Sequence, residues 1–391
     1  MATTISKFNL FATFEVNASA TRWILPASVM IYPESGAAIN EDGTHADNQI
    51  QINGRAISSD TYGVDSGGAS TDIFIGAQGA VVGNQAGIIT SGANESITNA
   101  GTIDGRQIGI RSEGESVLID NSGSIGGIEG VSLGSFGGDL INRETGIISG
   151  ENAITTDTSG GQTVKTVNDG LLTGFYAYMG NGLGSDDIIN HGTITGNVFL
   201  GNGDDVFKNI DGRFKDAVIG GSGSDTYFVS SRLIQITETW DDFGIDTVQS
   251  TVSNTLGKGL ENLVLLKKGE FDGTGNGLAN VLTGSTGKNT LDGKSGTDTL
   301  DGGKESDILT GGNDADVFVF RTGDGRDTIT DFDGLADHID LSGMNGIEDF
   351  NDLKLNHIVI GEDQITIVNG TDEIVLQGVT KSELTREHVD F

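Results

Sequence analysis

Five residues with side-chain oxygens, Asn280, Asn289, Asp298, Asp307 and Asp316, fall nine positions apart without a slip. Two positions after each comes a large apolar residue: Leu282, Leu291, Leu300, Leu309 and Phe318. Glycines lead into them, among them Gly287, Gly293, Gly296, Gly302 and Gly311. Carboxylates in glycine turns at fixed spacing point to the ligation of a hard cation rather than to acid–base work. Calcium takes six to eight oxygens at about 2.3–2.6 Å, from carboxylates, amide oxygens and backbone carbonyls. Glycine adopts turn dihedrals closed to other residues and leaves the carbonyls unobstructed. One turn supplies only half of such a shell, so a neighbouring turn must supply the rest.

That requirement defines the elements. Nine residues make a half-coil, a turn of about six followed by a short strand whose apolar side chain points inward. Successive half-coils alternate sides, so residues 18 apart share an edge: Asn280 with Asp298, Asp298 with Asp316, and Asn289 with Asp307. Several calcium ions are expected, one between each pair, held most tightly between Asp298 and Asp316 and more weakly where a neutral Asn replaces a carboxylate. Gly293-Lys294-Ser295-Gly296-Thr297-Asp298-Thr299-Leu300 approximates the G-G-x-G-x-D-x-U-x pattern of calcium β-helices. Earlier copies surround Asp186, Gly203 with Asp205, and Gly221 and Gly223 with Asp225. At 19 and 20 residues apart, these acidic turns should form a column along one edge.

A looser repeat precedes them. An Asn followed by Gly and an aliphatic residue recurs at Asn84, Asn99, Asn121, Asn142, Asn168, Asn190 and Asn209, 15 to 26 residues apart. Short β-branched runs such as Ser96-Ile97-Thr98 and Val117-Leu118-Ile119 read as strands. A coil this short buries little alone, so coils must stack on one continuous core, with Asn on Asn at the turns. For residues 84–170 these Asn/Gly turns read as structural. The predicted fold is all-β, a parallel β-solenoid followed by a calcium-bound roll and a C-terminal hairpin cap, from Ile365-Thr366-Ile367 and Ile374-Val375-Leu376 about the Asn369-Gly370 turn.

Composition narrows the function. The 391 residues carry a net charge of -34, which argues against nucleic acid and for cations as partners. With no cysteine there is neither a disulfide nor a thiolate metal site, and no run approaches a membrane span. The first 16 residues lack the apolar core of a Sec-type signal peptide. No enzyme is expected. The five histidines form no His-x-x-x-His pair, no G-x-S-x-G elbow occurs, and Gly293-Lys294-Ser295 fails as a phosphate loop because position 288 is Lys. Of the paired carboxylates, Asp186-Asp187 and Asp204-Asp205 lie in the acidic turns, and Asp241-Asp242 stands apart.

From about Gly180 to Phe391 the sequence resembles the RTX proteins exported by bacterial type I secretion. Beside the nonapeptides, the likeness rests on Gly244-Ile245-Asp246-Thr247-Val248, Leu260-Glu261-Asn262-Leu263-Val264 and Gly273-Thr274-Gly275-Asn276. Beyond the last repeat it includes Val317-Phe318-Val319-Phe320, Gly325-Arg326-Asp327-Thr328-Ile329-Thr330-Asp331-Phe332 and Asp337-His338-Ile339-Asp340-Leu341. The resemblance implies that Asp327 and Asp331 are further calcium ligands, and that the C-terminal segment is an uncleaved secretion signal read by the type I machinery. Glu305 and Asp314 depart from the family's Gly and mark those turns as distorted or differently ligated. The expected organisation is a cap or assembly segment over 1–45, rich in Phe8, Phe11, Phe14, Trp23 and Met30, then a β-helix over 46–230, a connector over 231–272, the roll over 273–345 and the C-terminal cap over 346–391. The expected function is a secreted, calcium-dependent structural protein that self-assembles at the cell surface as a layer or fibre. The alternative is a secreted carbohydrate-binding or polysaccharide-modifying β-helix, with a cell-surface glycan as partner.

Overall fold

Short β-branched runs closed by Gly or Asn cannot extend into long strands, and the chain turns after each one. The computed structural model describes residues 2–4, 9–232, 234–238 and 244–391. Phe8 and the Asp241-Asp242 pair lie outside the described residues. Two units are resolved, Met1–Gly223 with Leu233–Ile236, and Ser224–Arg232 with Thr237–Phe391.

In the first unit the early coils contribute three strands each, and from Leu171–Gly180 onward the second and third merge into one. Gln49–Ile52, Arg55–Ile57 and Tyr62–Ser66 form one coil, Asp72–Ile75, Ala80–Gly83 and Ala86–Thr90 the next. All pair in parallel and in register with the coils before and after. Because side chains alternate in and out, one register position makes a column through the interior. Val81, Ile103, Ile125, Ile148 and Leu172 form such a column, fully buried. Each contributes roughly 1.5–3 kcal/mol by burial.

The expected asparagine stack is present from Asn99 onward. Asn99, Asn121, Asn142, Asn168 and Asn190 each donate an Nδ2–H to the Oδ1 of the next, at 2.8 Å for the first four links and 2.6 Å to Asn209. Asn84 stands outside it: its side chain reaches Asp60 at the surface, and Ile75 and Ile52 continue the column below Asn99. The solenoid also starts earlier than the asparagines suggest. Arg22–Leu25 pairs with both Ala2–Thr4 and Gln49–Ile52, and Phe14–Val16 pairs with Ile39–Glu41. Residues 1–45, expected as a cap or assembly segment, contribute coil strands; Phe14 packs edge-on to Trp23, which is buried, while Phe11 is exposed.

The second unit is the expected roll. Val281–Thr283, Thr299–Asp301 and Val317–Arg321 stack in parallel on one side, Asn289–Ser295 and Ile308–Asn313 on the other, with partners 18 residues apart. Leu282, Leu300 and Phe318 from one side and Leu291 and Leu309 from the other are completely buried. Stacking begins before the roll: Thr247–Ser250 and Asn262–Leu265, expected as a connector, already pair in the first ladder. At the far end Arg326–Ile329 pairs in parallel with Asp372–Gln377, which pairs antiparallel with Gln364–Asn369, itself antiparallel to Ile358–Ile360. The hairpin is the one expected, with a third strand added. Val389–Asp390 ends the chain in the other ladder, beside His338–Gly343.

Candidate metal centre

The roll turns hold their aspartates by one repeated contact. The N–H of Asn280 donates to Asp298 Oδ1 at 2.7 Å, that of Asp298 to Asp316 Oδ1 at 2.8 Å, and that of Asn289 to Asp307 Oδ1 at 2.7 Å. Asp307 donates in turn to Asp327 Oδ1 at 2.9 Å. The three pairs expected from the 18-residue spacing are brought together, and Asp327 joins the second edge.

This contact uses only one oxygen. Oδ2 of Asp298, Asp307 and Asp316 is buried and without a hydrogen-bond partner, an arrangement that is costly unless something else satisfies the oxygen. The first glycine of each turn faces that oxygen. A Cβ at Gly293, Gly302 or Gly311 would lie 2.3, 2.5 or 2.4 Å from the Oδ2 of Asp298, Asp307 or Asp316. Turn residues also leave carbonyls close to the coil above, with Lys294 O beneath Gly312 and Ser285 O beneath Gly303. Orphaned carboxylate oxygens, clearance kept by glycine and nearby carbonyls make a donor set that fits a hard divalent cation. Without one, burial pushes the acids up: Asp298, Asp307 and Asp327 to about 7 and Asp316 to about 6, with neighbouring carboxylates adding to burial against the backbone N–H bonds.

Gly287 lies buried in the first complete turn, its N–H on Ser285 Oγ, and Gly296 takes a φ of +109° above Leu278 O. Glu305 and Asp314 were expected to distort their turns or change the ligation there. Both hold φ near +80°, as Lys294 does, so the turn keeps its shape and side chains are forced into the left-handed region. Asp331 is exposed and clamps the turn below through the N–H groups of Gly311 and Gly312, at 3.0 and 2.9 Å. Asp337 continues the first edge instead: it is buried and takes the N–H of Asp316 at 3.0 Å. Its 21-residue interval from Asp316 hid it from a period search.

In the first unit Asp186 donates its N–H to Asp205 Oδ1 at 2.7 Å, the same contact as in the roll, and Oδ1 of Asp186 is orphaned. Burial pushes Asp186 up to about 7 against the hydroxyls of Tyr178 and Thr156. Gly203, Gly221 and Gly223 all take positive φ and stack closely on the turn below; a Cβ on Gly221 would sit 1.8 Å from Gly201 O. In the second unit Asp225 donates its N–H to Asp246 Oδ1 at 2.7 Å. Asp225, Glu238 and Asp246 offer carboxylate oxygens all within 4.8 Å of one another. The Tyr227 hydroxyl contacts both Asp225 and Glu238. Glu238 and Tyr227 carried no periodic signal as ligands.

The comparisons agree with this geometry. Residues 274–309 and 283–318 match the RTX calcium-binding nonapeptide repeat (4 copies). No curated protein matches the sequence. Among solved structures the chain is similar to extracellular lipase LipA from Serratia marcescens, at 14% identity and a TM-score of 0.22, covering 53% of this chain and 40% of that one. The chain thus spans less than half of that lipase, and a likeness so loose carries no argument about activity. No helix among the described residues is long and apolar enough to cross a membrane.

Proposed function

We propose, for a chain whose residues 274–318 are RTX calcium-binding repeats on a parallel β-solenoid, a secreted structural role in which calcium completes the fold and permits self-assembly at the cell surface. The observation that carries the reading is the row of buried, orphaned Asp oxygens over glycine turns. In this reading Asp298, Asp307, Asp316 and Asp327, with the carbonyls of their turns and Asn280 and Asn289 below, hold several ions. Asp186 with Asp205, and Asp225 with Asp246 and Glu238, hold others. Bound calcium neutralises carboxylates that must otherwise stay protonated, and each site held at ten times its dissociation constant adds about 1.4 kcal/mol to stability. Export by type I machinery would take the chain from low to high calcium.

Assembly draws on two features. The outward faces of the first unit expose Leu118, Phe136, Ile147 and Phe175, apolar side chains suited to lateral contact. The charge of -34 opposes such contact until cations screen it. Electron microscopy of purified protein with and without millimolar calcium tests this: ordered sheets or fibres only with calcium are expected, and particles that stay single in calcium would remove the assembly role.

One observation favours a second reading. A groove of about 520 Å³ on the outer face of the first coils is lined by Arg22, Gln49, Gln51, Asp72, Phe74 and Thr98. Amides, a guanidinium, a carboxylate and a half-exposed aromatic ring are groups that recognise sugars. Binding of soluble polysaccharide that Phe74→Ala abolishes would favour this reading.

A further inference from the structure

The first unit buries two glutamates in one place. Glu41, at the end of the strand Ile39–Glu41, and Glu95, in the turn before Ser96–Asn99, are 54 residues apart in sequence, and Ser66, at the end of the strand Tyr62–Ser66, joins the two. Both glutamates are 1% exposed, and Ser66, Asn48 and Thr71 are wholly buried. Among the described residues neither glutamate forms an ion pair with Lys or Arg. Two buried carboxylates that meet without a counter-charge cannot both stay ionised, so a proton or a cation must take up at least one of the charges.

The hydrogen bonds decide which. Ser66 Oγ lies 2.6 Å from Glu41 Oε2 and 2.7 Å from Glu95 Oε1. A hydroxyl has one proton to give. If both contacts are hydrogen bonds, one of the glutamates must itself donate. Glu41 Oε1 already accepts from Asn48 Nδ2 at 2.5 Å and from Thr71 Oγ1 at 3.0 Å. The Asn48 amide is oriented by the N–H of Thr21, which donates to its Oδ1 at 3.1 Å. A donor fixed against Glu41 Oε1 is wrong for a cation and right for a carboxylate. Glu95 is held more weakly: the Thr90 hydroxyl and the Gly92 N–H lie on its side, but its Oε2 is buried with no partner in good hydrogen-bond geometry.

We infer that Glu95 is a neutral carboxylic acid that donates to Ser66, which donates to the Glu41 carboxylate, so that three stacked coils are tied by one retained proton. Burial pushes Glu95 up to about 8, with the Glu41 charge adding to it against the Ser66 bond. Other titratable groups on the neighbouring turns lie at or near the surface. Asp42 pairs with His45, Glu113 pairs with Arg111, Asp72 accepts from Ser96, and Asp47, Asp65 and Glu115 lie on the outer side. Glu41 alone meets Glu95 from inside. Below the ordinary glutamate range folded and unfolded chains both hold the proton; between that range and about 8 only the folded chain does. Stability of these coils therefore falls as pH rises across that window and levels off above it.

Infrared difference spectra of the full chain in saturating calcium, which keeps the metal-site aspartates ionised, test this. The wild type should show one carboxylic-acid carbonyl band at pH 7 that disappears with a midpoint near 8. Glu95→Gln, which keeps a donor toward Ser66, should lack the band, melt at a temperature independent of pH from 6 to 9, and bind as many calcium ions as the wild type. No acid band in the wild type at pH 7 overturns the inference whether or not the variant folds. A variant that binds one calcium fewer overturns it in favour of a cation at this place.

Discussion

Two columns run through this molecule, one of asparagines and one of aspartates, and they close their hydrogen bonds differently. An amide both donates and accepts, so Asn99 to Asn209 satisfy one another along the stack. An ionised carboxylate only accepts. In the roll Asp298, Asp307 and Asp316 each take one backbone N–H and leave a second oxygen over. A change of one atom type at a turn separates a self-sufficient coil from one left with a spare oxygen, and within the first unit the self-sufficient stretch ends where Asp186 and Asp205 enter beside Asn190 and Asn209.

The sharpest way to break this comparison is chelation. EDTA should abolish amide-exchange protection across residues 275–345 while leaving residues 97–170 protected, as mass spectrometry of exchanged peptides would show. Equal loss in both regions would mean that the asparagine column also depends on calcium. Substitution within the first column comes next. Asn121→Ala strips the acceptor from Asn99 and the donor from Asn142 and should cost about 1–3 kcal/mol, equally with and without calcium, in denaturant titrations. Asp316→Asn keeps an acceptor for Asp298 N–H but removes a charge, and should raise the calcium midpoint on the order of tenfold in a circular dichroism titration.

Proton linkage provides a subtler test. Without calcium, Asp298, Asp307, Asp316 and Asp327 hold protons in the folded state up to pH 6–7, so thermal stability in EDTA should fall as pH rises from the ordinary aspartate range toward 7. Calcium displaces those protons, so its affinity should rise over the same interval and then level off. The smallest effect belongs to Glu305→Gly or Asp314→Gly, which frees a side chain from φ near +80° and should stabilise the calcium-bound roll by roughly 1 kcal/mol.

The roll was legible because its signal is strictly periodic. Nine-residue spacing placed Asp298 beside Asp316 and Leu300 beneath Phe318, and the register is as that spacing requires. The asparagine column was legible only where Asn recurs. Below Asn99 its places are taken by Ile75, Ile52 and Leu25, which differ in no way from ordinary core residues, so the coil around Leu25 looked like a separate segment. Asp337 lies after a longer loop, out of period. Glu41 and Glu95 were invisible for another reason: a meeting between two strand ends and a turn of stacked coils leaves no spacing to recognise, and each residue alone reads as one more acid on an acidic chain.

The N–H to Oδ1 links of the roll all point the same way, each coil's amide seized by the carboxylate of the coil that follows it. A zipper with such polarity has a natural starting tooth. The segment around Asp337, anchored by Asp333 N–H at 2.8 Å and flanked by the closing strand Val389–Asp390, offers a finished surface on which the preceding coil can settle, and that coil then becomes the surface for the one before. Ordering should thus spread backward along the polypeptide, and severing the chain ahead of Asp333 should leave the repeats without a place to begin.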